Sequence, residues 1–124
     1  MKVRDFRELD VYKKAFDLQP AIFTVSKDFP KEEQYALTDQ IRRSSRSIGS
    51  NLAEAWKKRR YQAYFISKLT DSDGEQAETI HWLKTSHACG YLSTKVYEDF
   101  VDQCEKIGKM LGVMIQNAKQ WCTY

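Results

Sequence analysis

The chain has 124 residues and a mass of 14.6 kDa, the size of one domain with a core of its own. Its 42% hydrophobic and 30% charged residues are a globular balance, and five Gly with two Pro supply too few turns for a β-sandwich or barrel. The formal net charge of +3 is too small to announce a nucleic-acid binder unless the charge is concentrated. The first predicted element spans about 9–28, with Leu9, Tyr12, Ala15 or Phe16, Gln19, Phe23 and Ser26 at helical spacing. Pro20 lies in its middle and should kink it or divide it near Leu18 and Gln19. The second spans about 32–58: Leu37, Ile41, Ser44, Ile48, Leu52 and Ala55 form one stripe. Pro30 and the acidic Glu32 and Glu33 suit its first turn. Its many small residues, among them Ser44, Ser45, Gly49 and Ala53, predict a closely packed central helix.

The third element spans about 60–89, with Tyr61, Phe65, Leu69, Ser72, Glu75, Thr79, Trp82 (with Leu83) and Ser86 on its stripe and Gly90 as its C-cap. Polar Ser72, Glu75 and Thr79 must be hydrogen-bonded if they are buried. The fourth spans about 93–121, with Ser93 as N-cap. Its seam of Tyr97, Phe100, Cys104, Ile107, Leu111, Met114 and Ala118 alternates steps of three and four. Gly108 and Gly112 lie on or near that side, where a neighbouring backbone is expected to come close. Short links near Phe29-Pro30, Lys58-Arg59 and Gly90-Leu92 make consecutive helices antiparallel. The expected fold is all-α: a single-domain, up-down-up-down four-helix bundle over residues 1–124.

No stretch has the ~20 apolar residues of a membrane span, and Met1-Lys2-Val3-Arg4-Asp5 is followed by no apolar run, so neither membrane insertion nor secretion is expected. Cys89, Cys104 and Cys122 are odd in number and widely spaced, which fits reduced thiols in a cytoplasm. A di-iron bundle would need two Glu-x-x-His motifs. Glu78-Thr79-Ile80-His81 supplies one, but the residue three before His87 is Lys84. With no GxSxG elbow, HExxH motif or Walker loop either, no catalytic residue, metal or cofactor is expected.

The charge is concentrated. From Arg42 to Arg60, seven basic residues face one acid, Glu54, so this segment carries +6 and the remainder of the chain −3. The candidates are Arg42, Arg43 and Arg46 on one helix face, and Lys57, Lys58, Arg59 and Arg60 at the turn between helices two and three. Trp56, Tyr61 and Tyr64 border the turn. Cations neutralise phosphates and flanking aromatics stack on unpaired bases, a pattern that fits RNA or DNA. The alternatives are a solvated turn, pairing of Arg42 or Arg43 with Glu54, Glu75 or Glu78, or docking of an acidic protein partner.

Several stretches carry a resemblance. They are Phe6-Arg7-Glu8-Leu9-Asp10-Val11-Tyr12, Phe29-Pro30-Lys31-Glu32-Glu33, Leu37-Thr38-Asp39-Gln40-Ile41-Arg42-Arg43-Ser44-Ser45 and Ser47-Ile48-Gly49-Ser50-Asn51-Leu52-Ala53-Glu54-Ala55. Phe65-Ile66-Ser67-Lys68-Leu69, Glu78-Thr79-Ile80-His81-Trp82-Leu83 and Gly90-Tyr91-Leu92 follow in order. With these the chain resembles the small four-helix bundle proteins encoded in intervening sequences of the large-subunit ribosomal RNA gene. It is more distantly similar to the accessory variability determinant of diversity-generating retroelements. The resemblance implies a ring-like homopentamer with a central channel, no enzymatic activity, nucleic-acid binding and, in the retroelement relatives, a reverse transcriptase as partner. One departure is Ala55-Trp56, where the family pattern commonly has Gly after the Glu, which is expected to extend helix two past its usual end.

Overall fold

The computed structural model describes residues 3–122. Four long helices form the molecule: α1 (Asp10–Ser26), α2 (Asp39–Lys57), α3 (Gln62–Ala88) and α4 (Thr94–Gln116), followed by a short α5 (Ala118–Trp121). α1 packs on α2, α2 on α3, α3 on α4, and α4 closes back on α1, the all-α bundle expected from the stripes. The seam of α4 is buried at Phe100, Cys104, Ile107, Leu111 and Met114, and the stripe of α2 is buried from Ile41 to Ala55.

α1 differs from its expectation. It runs through Pro20 as one helix and ends at Ser26. Proline removes the N–H that would bond the Phe16 carbonyl. Both residues are exposed, while Leu18 and Ile22 on the opposite side are fully buried and hold the turn to the core. The start of the second element differs as well. A 3-10 turn (Lys31–Glu33) and a π turn (Gln34–Thr38) precede α2, and they bring Leu37 and Thr38 into the core. This link, 27–38, is longer than the sequence suggests, and the Tyr91 hydroxyl ties it down by donating to Glu33 Oε2 at 2.9 Å.

The helix ends beyond Pro30 follow local chemistry. Gly90 adopts φ +81, the left-handed region that a Cβ disfavours. There its N–H reaches the His87 carbonyl, and the Tyr91 N–H reaches that of Ser86 at 2.8 Å, a Schellman closure of α3. The Ser93 hydroxyl accepts from the Val96 N–H at 3.2 Å and starts α4. α4 ends at Gln116, earlier than the spacing suggests, because Asn117 leaves helical geometry (φ −101, ψ 21) before α5 resumes. Among the described residues no helix is long and apolar enough to cross a membrane.

Polar contacts fix α2 against α3. The Ser72 hydroxyl donates to the Ile48 carbonyl at 2.8 Å, and Thr79 Oγ1 donates to Ser44 Oγ at 2.9 Å. Lys68 Nζ lies 2.6 Å from Glu54 Oε2, and Arg43 pairs with Glu75 at 3.4 Å and with Glu78. Partners advance along α2 as they recede along α3, so the two helices run antiparallel. Ser72 and Thr79 are thus satisfied, as burial requires. Glu75 is satisfied at Oε2 by Arg43, while its buried Oε1 finds no partner among the described residues.

Gly108 makes a close approach of a different kind from the one expected. A Cβ there would meet the Gln76 side chain, not a backbone, at 2.8 Å. At Gly112 nothing lies within 4 Å, so no close packing explains it.

Candidate nucleic-acid interface

The basic segment, contiguous in sequence, divides in space. Arg42, Arg43 and Arg46 lie near the start of α2, beside the end of α1. Lys57, Lys58, Arg59 and Arg60 lie at the opposite end, on the α2–α3 corner. Arg46 and Lys57 are eleven residues apart, three helical turns, so they share one face about 16 Å apart along the axis. Arg42, four residues before Arg46, lies on the same face.

Each candidate has its own surroundings. Arg43 is occupied: it pairs with Glu75 and Glu78 of α3, which the sequence offered as an alternative. The Glu78 hydrogen bond raises the Arg43 pKa further. Burial alone would raise the Glu78 pKa, but hydrogen bonds from Trp82 Nε1 and Arg43 outweigh it and hold the carboxyl below its ordinary value. Glu54, the single acid of the segment, has its pKa lowered by its bond to Lys68 and forms no ion pair with the basic run. Arg59 donates from Nε to the Trp56 carbonyl at 2.8 Å, and its guanidinium lies 3.5 Å from the Trp56 ring centre. Trp56 is buried and meets Trp121 edge-on, so this arginine helps close the bundle end. The Ala55-Trp56 departure therefore anchors the end of α2 to α5, and α2 stops at Lys57.

The remaining cations, Arg42, Arg46, Lys57, Lys58 and Arg60, enter no ion pair among the described residues. At the corner, Tyr61 and Tyr64 are each 58% exposed and meet edge to face at 5.5 Å, with Lys58 Nζ 5.8 Å from the Tyr64 ring. Two exposed aromatics beside three cations form a surface on which unpaired bases can stack while the backbone is neutralised.

At the other end, Phe23 gathers three cations. Arg42 lies 4.5 Å, Lys27 5.0 Å and Arg46 5.6 Å from its ring centre. Arg42 Nε also donates to Ser26 Oγ at 2.8 Å, and Ser26 is buried. The sequence reading missed Phe23, Ser26 and Lys27 as site residues, because it assigned Phe23 and Ser26 to the core stripe. The available signal was the Phe23/Lys27 spacing of four at the end of a helix facing a run of arginines.

No cluster of three His, Cys, Asp or Glu suited to a metal occurs among the described residues. His81 meets the Trp82 ring edge-on, and Glu78 is engaged as above.

The model of the 23S rRNA-intervening sequence protein family matches residues 7–113. A similar solved structure is a Bacteroides thetaiotaomicron protein of unknown function from the S23 ribosomal protein family. It is 30% identical with a TM-score of 0.77, over 86% of this chain and 95% of that one. No curated protein matches.

Proposed function

The chain belongs to the 23S rRNA-intervening sequence protein family, and from that premise we propose that it is a non-enzymatic bundle that assembles with copies of itself and binds nucleic acid, foremost RNA. The observation that carries this reading is the cationic edge of α2, Arg42, Arg46 and Lys57, ending at the exposed Tyr61–Tyr64 pair beside Lys58 and Arg60. Asp71, Glu75 and Glu78 line a separate cleft between α2 and α3 with Asn51 and Thr70, while Asp39 shares the cleft of Arg42 and Arg46. A backbone that follows the cations therefore does not have to cross the cleft of Asp71, Glu75 and Glu78. A ring of five copies would repeat the edge five times, and linked weak sites gain avidity over a single one.

The test is binding of a labelled single-stranded RNA, with a duplex of the same sequence for comparison and with the Tyr61→Ala/Tyr64→Ala double variant. Stacking contributes about 1–3 kcal/mol per base, so the double variant should bind single strands at least about tenfold more weakly and lose any preference over duplex. Absence of binding at low salt, or full affinity in the double variant, refutes the interface. Light scattering tests the assembly, and a monomer refutes the ring. A protein partner retained from nuclease-treated lysate, with no RNA bound, would favour docking of an acidic protein instead.

A further inference from the structure

We propose that the cleft between the end of α1 and the start of α2 is a binding site for a phosphomonoester dianion, with a terminal phosphate of RNA as its source. The source rests on the nucleic-acid reading above; the site itself does not. The cleft measures about 450 Å³ and is lined by Phe23, Asp39, Arg42, Arg43, Arg46, Ser47 and Ser50.

Charge is the first argument. Lys27, Arg42 and Arg46 all stand within 6 Å of the Phe23 ring centre, and none forms an ion pair among the described residues. Arg43 also lines the cleft, but its charge is more than offset by Glu75 and Glu78. The one carboxylate on the cleft wall is Asp39, and it pairs with none of the arginines. Of the unpaired lining groups Arg42 and Arg46 stand against Asp39, and Lys27, on the same Phe23 ring but outside the lining, adds a third cation nearby. A phosphomonoester carries close to two negative charges at pH 7, since its second pKa is about 6, whereas an internal phosphodiester carries one. A cluster of net positive charge holds the dianion more strongly than the monoanion.

Preorganisation is the second argument. The Arg42 guanidinium is held at Nε by Ser26 Oγ, which itself donates to the Phe23 carbonyl at 2.9 Å. The guanidinium also lies against the Phe23 ring, so two constraints fix it before a ligand arrives. Its Nη groups are not used in that anchor. They leave a donor edge of the planar kind that meets two oxygens of one phosphate. Arg46, one turn on along α2, supplies a second guanidinium. Ser47 and Ser50 each donate to a helix carbonyl, at 2.8 Å and 3.2 Å, which leaves hydroxyl lone pairs but no committed donor for the ligand. The arginines therefore carry recognition.

The experiment uses the full chain and one labelled single-stranded RNA in three forms: 5′-phosphate, 3′-phosphate and no terminal phosphate. Each is titrated at pH 7.5 and pH 5.0. Adenosine 5′-monophosphate and inorganic phosphate are titrated separately against the arginine side-chain NMR signals. At pH 7.5 one of the phosphorylated RNAs should bind about tenfold more tightly than the unphosphorylated one, the worth of an added charge-assisted contact. That ratio should shrink at pH 5.0, where the second proton is on. Arg46→Gln, which removes no hydrogen bond within the fold, should bring the ratio below about twofold, whatever it does to overall affinity. Arg42→Gln should do the same if it folds. Equal binding of all three RNAs overturns the site and leaves the nucleic-acid reading standing. Failure of every RNA to bind, with the monophosphate or inorganic phosphate still shifting arginine signals that Arg46→Gln silences, keeps the site and overturns its RNA source. No preference and no shift overturns the proposal.

Discussion

Arginines that look equivalent in sequence should behave oppositely toward salt. Arg43 is paired with Glu75 and Glu78, whereas Arg42, Arg46, Lys57, Lys58 and Arg60 form no ion pair among the described residues. For a single strand each neutralised phosphate contributes about 0.7 to the slope of log affinity against log salt. Five such cations predict a slope near −3.5 per protomer, or about a hundredfold loss of affinity between 50 and 200 mM salt. Lys58→Gln or Arg60→Gln should each reduce the slope by about 0.7. Arg43→Gln should leave the slope unchanged and instead lower stability by about 1 kcal/mol or less, since its pair is half-exposed. Fluorescence anisotropy at four salt concentrations gives the slopes, and urea unfolding of the same variants gives stability. Equal slope changes at Arg43 and Arg60 would refute the division of the basic segment into paired and available cations.

Other consequences are open to measurement. Thr79→Val removes the hydroxyl that links Ser44 to the Glu75 carbonyl in a fully buried position, and should cost about 1–3 kcal/mol, read as a lower urea midpoint at unchanged slope. Gly112→Ala, with nothing within 4 Å, should raise stability by up to about 1 kcal/mol, while Gly90→Ala, at φ +81, should lower it by about 1–2 kcal/mol. Thermal melts of the two variants should move in opposite directions. The Tyr91 hydroxyl is pushed up to about 12 by its bond to Glu33. A raised folded-state pKa gives stability that is whole below the unfolded value near 10 and is lost as pH rises toward 12. An absorbance titration should show one tyrosine ionising late, and Tyr91→Phe should abolish that late step.

The stripes of α2 and α4 were legible because burial repeats at the helical period whatever lies opposite: Ile41, Ile48 and Leu52 on one, Cys104, Ile107 and Leu111 on the other. Gly90 and Ser93 were legible because capping is local chemistry. Pro20 misled, since a proline whose freed carbonyl belongs to an exposed residue need not divide a helix that a buried flank holds together. The turns before α2 were not legible, because 3-10, π and α spacing differ too little over eight residues. The concentration of charge between Arg42 and Arg60 was plain, but its division was not. Arg43 meets acids 32 and 35 positions away, and Arg59 turns back on Trp56, outcomes set by how α2 is rotated in the bundle. Phe23 escaped notice for the same reason, since a stripe position says "inward" and only the neighbouring helix decides that cations cover it.

The polar ties between α2 and α3 act as a ruler. Arg43, Ser44, Ile48 and Glu54 are fastened in order to Glu78, Thr79, Ser72 and Lys68. A slip of one turn, about 5.4 Å, would break all four together, so neither helix can slide against the other by a little. The span from the arginine cleft to the tyrosine corner is thereby a constant of the molecule. A ligand long enough to touch both ends must supply the flexibility itself, and its length between an anchored terminus and its first stacked base is selected by a distance that the protein does not adjust.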